Sequence, residues 1–473
     1  GIYLSGNNNT LTSNTGTSNS SYGIYLSGNN NTLTSNTGTS KSFYGIYLSG
    51  KNNNLTSSTG TSISGIGIYL SGNNNTLTSN TGTSNSSSGI FLDSSSNNTL
   101  TSNTGTSNSS SGIYISYSSN NILKNNNVSN SPSGFFIDGN SDQHFNNSID
   151  MTNVLDGSYK LYYNYSISNY VFDLTTAPDA GEIFCAKCNN ITVKNLNSVH
   201  PLKGMYFFNT TNSIIQNITS NVSDGVGISL DSSSNNTLTS STGTSNSSRG
   251  IYIFYSSNNN TLTSNTALSN SNAGIYIFYS SNNTLNNSIS NNNKYGLYIS
   301  NSNGTIVTNL TAKNNSLYGI FLESGSSNNI IKNSFIQLNN GSAFSLNNTG
   351  TALSNNYFYN NYFNNSVAFS NISASSVNFF NITKTAGVNI VGGTYLAGNY
   401  WAAPNGSGFS QTCVASTDGI CDTSYNFDGI NYDYLPLVCY ENWSCDDWRK
   451  CADGRQTRSC SDVNLCQTYR YKP

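Results

Sequence analysis

Charge is what this chain has least of. Only 8% of its 473 residues are Asp, Glu, Lys or Arg, against about 25% in an ordinary soluble domain. The 18 basic and 20 acidic side chains nearly cancel. No basic run remains to give the electrostatic footprint of a nucleic-acid-binding protein. With 2 His, there is little material for imidazole-based catalysis or metal binding. No apolar run is long enough to cross a bilayer as a helix. The chain begins at Gly1 with neither Met nor a signal segment, so it reads as mature or trimmed.

What is abundant is repetition. Gly-Ile-Tyr-Leu-Ser-Gly, an Asn/Thr run, Leu11 and Asn-Thr-Gly-Thr-Ser return from Gly23, Gly45, Gly67 and Gly89, and recognisably from Gly112. Later copies start at Gly227, Gly250, Gly274, Gly296 and Gly319. A period of roughly 22–24 residues marks a solenoid. Aligned copies give apolar columns: Ile2, Ile24, Ile46 and Ile68; Leu4, Leu26, Leu48 and Leu70; Leu11, Leu33, Leu55 and Leu77. Ile-x-Leu has the period-two spacing of a strand, which puts Ile and Leu inside and the intervening Tyr outside. The L-x-x-L-x-L signature of leucine-rich repeats is missing. The expected fold is all-β, a parallel β-helix with short strands and Asn/Gly/Ser corners.

A fourth column, Gly16, Gly38, Gly60, Gly82 and Gly105, continues as Val128, Gly243, Ala267 and Ile289 and predicts a narrow inward position. In-register stacking predicts an amide ladder through Asn14, Asn36, Asn80 and Asn103. The same logic makes Tyr3, Tyr25, Tyr47, Tyr69, Phe91 and Tyr114 an aromatic ladder, a glycan-stacking stripe or a packing face. The regular pattern breaks over 138–203, read as irregular coils. The β-helix is assigned to 1–397, a closing segment with an Asp/Gly/Cys loop to 398–438, and a cysteine-dense module to 439–473.

Repeats of the form G-I-Y-L-x-x-x-x-N-x-L resemble the NosD-type right-handed parallel β-helices, also called carbohydrate-binding and sugar-hydrolase repeats, of archaeal and bacterial secreted proteins. The resemblance covers Gly1 to about Ala397, and Gly398-Asn-Tyr-Trp401 to Asp433-Tyr-Leu-Pro436 resembles the segment that closes such helices. The NosD name implies copper, which wants clustered His, Cys or Met. His144, His200, Met151 and Met205 stand apart, so that role is not carried over. The last module is similar to a thrombospondin type 1 repeat, with Trp443 and Trp448 against Arg455 and Arg458 as a cation–π ladder. The family pattern continues to another cysteine, which implies a polypeptide running beyond Pro473.

Candidate sites are sparse. Asp93, Asp138, Asp231 and Glu323 are scattered, and Asp93 and Asp231 read as turn residues. Asp142, His144, Asp150 and Asp156 mark where a sugar-processing site would sit, without supporting spacing or a nearby basic partner. Asp418, Asp422, Asp428 and Asp433 resemble a calcium loop in which Ser416 stands at an expected acid, so calcium is the one possible cofactor. Cys185, Cys188, Cys413, Cys421, Cys439, Cys445, Cys451, Cys460 and Cys466 are read as disulfide formers, with Cys185–Cys188 and Cys413–Cys421 as local bridges. Asn19, Asn85, Asn108, Asn246 and Asn364 are read as glycosylation acceptors.

These features lead to an expectation of a non-enzymatic, glycosylated protein of the extracellular cell surface. It would act as a rigid shaft, adhesin or filament subunit, partnered by copies of itself or by glycans, with no nucleic acid and no membrane span. The alternative is a carbohydrate-binding or carbohydrate-cleaving β-helix.

Overall fold

The corners explain the composition. In the computed structural model, Asn8, Ser13, Asn30 and Ser35 have φ of 58°, 55°, 58° and 57°, and the same positions recur down the chain. This left-handed region is visited most readily by Gly and, among residues with a Cβ, by Asn. Each such residue lets one short strand end and the next begin at an angle. The structure describes residues 1–463 except 199–203, 223–224, 349, 352, 371–376, 416–417, 440, 442, 452 and 454. It forms two compact units, Gly1–Asn236 with Thr242–Ser248, and Thr237–Ser241 with Arg249–Pro473.

In the first unit each coil has three strands. Ile2–Ser5, Thr10–Thr12 and Thr15–Ser18 pair in parallel with Ile24–Ser27, Thr32–Thr34 and Thr37–Ser40, each residue beside its counterpart. This is a parallel β-solenoid, as the repeat spacing predicts. Ile24, Leu26, Leu33, Ile46, Leu48 and Leu55 are 0% exposed, each contributing about 1.5–3 kcal/mol by burial.

Polar ladders line the corners. Asn31 Nδ2 donates to Asn53 Oδ1 at 3.1 Å, and Asn98 Nδ2 to Asn121 Oδ1 at 3.0 Å. The same oxygens accept the main-chain N–H groups of Asn31 and Asn98, so corner donors outside the strands are satisfied. This ladder escaped the sequence reading. The anticipated one is interrupted where Asn36 N–H donates to Ser58 Oγ, and resumes at Asn80–Asn103 and Asn103–Asn126.

The glycine column is narrow as expected: a Cβ on Gly82 would lie 2.3 Å from the Gly89 carbonyl oxygen. Val128 and Ala267 are fully buried. Ile289 is not in this column. It pairs with Thr266 and is 40% exposed, while Ser290, opposite Ala267, points inward.

The irregular segment has a defined cause. Val154–Leu155 pairs antiparallel with Tyr159–Tyr165 through a turn in which Asp156 and Gly157 have φ of 48° and 75°. Stacking then resumes in parallel through Ala180–Ala186, Met205–Phe208 and Ile228–Asp231, with one register shift between Lys160 and Leu161.

In the second unit Ile251–Phe254, Ala273–Phe278, Tyr295–Ser300, Tyr318–Glu323 and Ser342–Asn347 build one face. Its last coils fill with Phe344, Phe358, Phe363, Phe380 and Trp401, all fully buried. Tyr400–Ala402, within the closing segment, still pairs in parallel with Tyr362–Asn364. Asp433 is buried beneath it and accepts hydrogen bonds from the Asn399 N–H and Trp401 Nε1, each at 2.8 Å. Farther along, Trp443–Cys445 pairs antiparallel with Cys460–Asp462.

Two predictions follow from this packing. Replacing Leu70 by Asn strands an amide in the core and costs roughly 2–4 kcal/mol, whereas Tyr47→Ser, on the outer face, costs about 1 kcal/mol or less. Urea denaturation of both variants checks this, and equal losses would contradict the inside–outside assignment.

The second prediction concerns Asp433. Burial pushes its carboxyl up to about 7, against the opposing hydrogen bonds from Asn399, Trp401 and Leu435. The fold therefore holds an extra proton between the unfolded value, about 3.9, and about 7. The associated stability is fully present below about pH 4 and is lost as pH rises through 7, up to about 4 kcal/mol. Urea denaturation followed by tryptophan fluorescence should show stability declining from pH 4 to pH 8, a decline that Asp433→Asn removes. A parent protein with no such slope would refute it.

Candidate functional site

The outer face of the first strand in each coil carries the tyrosines, because alternation turns them away from the Ile and Leu columns. Tyr3, Tyr25, Tyr47 and Tyr69 stack with centroids 4.5, 4.9 and 5.3 Å apart and planes within 7° of parallel. Their faces are turned on one another, so the ladder presents ring edges and hydroxyls outward.

Those hydroxyls find carboxylates in a repeating pattern that the sequence reading missed. Tyr69 donates to Asp93 at 2.7 Å, Tyr114 to Asp138 at 2.8 Å and Tyr206 to Asp231 at 2.6 Å in the first unit. Tyr298 donates to Glu323 at 2.5 Å in the second. Each acid follows the apolar pair of the next coil, as in Ile90-Phe-Leu-Asp93 and Phe135-Phe-Ile-Asp138. Aligning the copies by coil reveals the rule; reading acids along the chain scatters them. Burial, and then the carboxylate bond, raises the Tyr69 and Tyr114 phenols above their ordinary range and keeps them as donors. Asp93 and Asp138 stack in one column with Ser116 between them, two coil steps or about 9.6 Å apart at Cα.

Asp138 has the richest surroundings. Its Oδ2 takes the Tyr114 bond, and its buried Oδ1 has no hydrogen-bond partner. The chain then turns at Gly139, against which His144 packs, into the short 3-10 helix Asp142–Phe145. His144 Nδ1 accepts the Asn140 N–H at 3.3 Å, which leaves Nε2 as the donor of the neutral ring. Exposed Tyr117 sits edge-on to this imidazole, 5.3 Å between centroids. Asp142 meets Lys187 at 3.8 Å and Asn209 Nδ2 at 2.7 Å, a basic partner that sequence distance concealed. Asp150 and Asp156 serve turns instead: Asp150 accepts from Thr152 N–H, and Asp156 from Asn130 N–H.

The other predicted residues fall elsewhere. Asp418 pairs with Lys384 at 2.7 Å, Asp428 accepts from Asn431 and Asp433 is buried. Among the described residues no three His, Cys, Asp or Glu side chains gather as a metal group, and Asp422 is part of none. Cys185–Cys188, Cys413–Cys421 and Cys445–Cys460 are bridged, and Cys439 is also bonded. Cys451 corrects the expectation: it is exposed and free. Cys466 and His200 lie outside the described residues. Asn19, Asn85, Asn108 and Asn246 are exposed. Asn364 is 3% exposed, inside Tyr362–Asn364, where a glycan has no room. Arg458 lies 4.6 Å from the Trp448 ring centroid. In the second unit a cavity of about 170 Å³ is lined by Trp401, Phe409 and Tyr425 with Asn365 and Ser407, and holds no acid or base for catalysis.

Residues 1–154 match the profile described as "Right handed beta helix region", and 142–285 and 188–406 match that described as "Periplasmic copper-binding protein (NosD)". The class is therefore the right-handed β-helix repeat proteins. The second match spans more than half of the chain, which belongs to the NosD family. The residues described do not fit copper: Met205 is buried, Met151 is exposed and His144 is the one described imidazole. No curated protein matches.

Among solved structures, the periplasmic alginate epimerase AlgG is 13% identical with a TM-score of 0.36, covering 63% of this chain and 75% of its own. The Azotobacter vinelandii mannuronan C-5 epimerase AlgE4 A-module is 12% identical with a TM-score of 0.34, over 77% and 88%. The Dettilon tailspike protein is 13% identical with a TM-score of 0.30, over 66% and 62%. At such identities the likeness concerns the fold alone. The structures matched bear the names of epimerases and a tailspike protein; the expectation of a non-enzymatic shaft or filament subunit is withdrawn, and the carbohydrate alternative is taken up below as a proposal.

A double-mutant cycle tests the repeated pairing. Tyr114→Phe and Asp138→Asn should couple by about 1 kcal/mol or more in denaturation experiments. Additive losses would mean that the bond contributes nothing.

Proposed function

We propose that this chain is a carbohydrate-active β-helix protein that binds a polysaccharide along its tyrosine face and acts on it at Asp138. The observation that carries this reading lies at Asp138: its carboxylate is held by Tyr114, and the chain then turns at Gly139, against which His144 packs edge-on to Tyr117. In this reading Asp138 is the proton acceptor, Tyr114 the group that orients it, and His144 the proton donor. Proton transfer at a sugar ring covers hydrolysis, elimination and epimerisation, and the carboxylate–phenol–imidazole set serves each.

An extracellular or periplasmic setting agrees with the disulfides and with the description of the matched family. No described helix is long and apolar enough to cross a membrane. We further read the exposed Asn19, Asn85, Asn108 and Asn246 as glycan acceptors and the Trp448–Arg458 contact as part of a thrombospondin-like module.

The test is incubation of the full chain with a panel of neutral and acidic polysaccharides. New reducing ends, unsaturated products and changed sugar configuration are read by NMR. Asp138→Asn and His144→Ala should each lower turnover by about 100-fold or more while the melting temperature stays close to the parent's. Unchanged turnover in both variants, or no binding and no product with any polysaccharide, would overturn the reading.

A further inference from the structure

Arg249 stands at the start of the second unit, immediately before Gly250 in the turn that leads into Ile251–Phe254. Equivalent positions elsewhere hold Tyr22, Tyr44, Tyr295 and Tyr318. Its guanidinium carbon is 4.5 Å from the Tyr252 centroid and 4.9 Å from that of Tyr276, two stacked rings 5.0 Å apart. The nearly equilateral triangle places the guanidinium in the notch between the rings, beside the ladder. Its Nε is buried with no acceptor, and no carboxylate pairs with it among the described residues.

An unpaired cation that is half withdrawn from water is costly. A structural arginine is normally paired, whereas this one is fixed by aromatic packing with its charge left over. The same face continues through Tyr298, stacked on Tyr276 at 4.2 Å, and carries a second cation, Lys294, 5.3 Å from the Tyr295 ring. Its one acid among these rungs, Glu323, is occupied by Tyr298 and Ser300. Net charge on this stretch is therefore positive, in a chain whose total is −2.

We infer that the tyrosine face of the second unit is a subsite for an acidic sugar, with Arg249 receiving the carboxylate of a uronate residue. This rests on the carbohydrate reading above and names the substrate class for it. A planar guanidinium held against rings presents a fork of N–H donors that suits the two oxygens of a carboxylate. The partly exposed edge of Tyr252 faces the sugar's own hydroxyls, while Tyr276 is buried and holds the guanidinium in place. A coil step of about 4.8 Å is close to the length of one pyranose unit, so consecutive sugars would meet consecutive rungs.

Calorimetry on the full chain tests this with three probes: a polyuronate oligosaccharide, the same oligosaccharide with its carboxyl groups reduced to alcohols, and a sulfated neutral oligosaccharide. The parent should bind the uronate at least about tenfold tighter than the reduced form. Arg249→Gln should abolish that preference while binding of the reduced form stays unchanged, which also shows that the variant is folded. Arg249→Lys, which keeps the charge and loses the fork, should recover only part of it.

Three outcomes would overturn the inference: equal affinity for uronate and reduced forms, an undiminished preference in Arg249→Gln, or tighter binding of the sulfated probe than of the uronate. In each of these the carbohydrate reading survives, because sugar is still bound. No binding of any probe sinks both.

Discussion

Everything in this chain depends on handing each coil's main-chain donors and acceptors to the next coil in register. Once Ile2 lies beside Ile24 and Thr10 beside Thr32, most side chains of the regular coils sit on a copy of themselves. Residues must then tolerate self-stacking in rows about 4.8 Å apart. Leucine and isoleucine do so inside and tyrosine outside, while asparagine bonds its own copy at the corners. Charged residues do not, because like charges repel at that spacing. The scarcity of charge, the first peculiarity of the sequence, is a consequence of the stacking rule.

The same rule governs where function can sit. An acid is tolerated in the stack when a tyrosine of the preceding coil donates to it, as Tyr69 does to Asp93 and Tyr114 to Asp138. The few carboxylates on the tyrosine face are therefore placed groups. Asp138 differs from the others because the regular pattern ends immediately after it. The short helix that follows packs His144 against Gly139 and Tyr117 and lets Asp142 meet Lys187. A break in repetition is what gathers unlike residues.

Much of the fold was legible, for a physical reason: apolar columns are selected coil by coil, so Ile24, Leu26 and Leu33 announce both strand and direction. Register failed at Ile289, where an apolar residue faces outward and Ser290 takes the inward place. Composition alone cannot separate the two when neighbours differ by one position. The hairpin at Asp156–Gly157 was read only as irregularity, because a reversal leaves no periodic trace. The tyrosine–acid pairs went unread because partners lie about one coil apart and obey a diagonal rule. Asn364 looked like other acceptors by its triplet, and only its place in a buried strand removes it.

The central claim is that sugar meets the protein on the outer face of Ile113–Ser116 and Phe135–Asp138. The most direct measurement is a crystal structure of the full chain saturated with an oligosaccharide that it binds in solution. The account predicts sugar density on that face, with one hydroxyl against the Asp138 side chain and another near Tyr117 or His144. Density confined to a different sheet of the first unit, with this face empty at saturation, would contradict it.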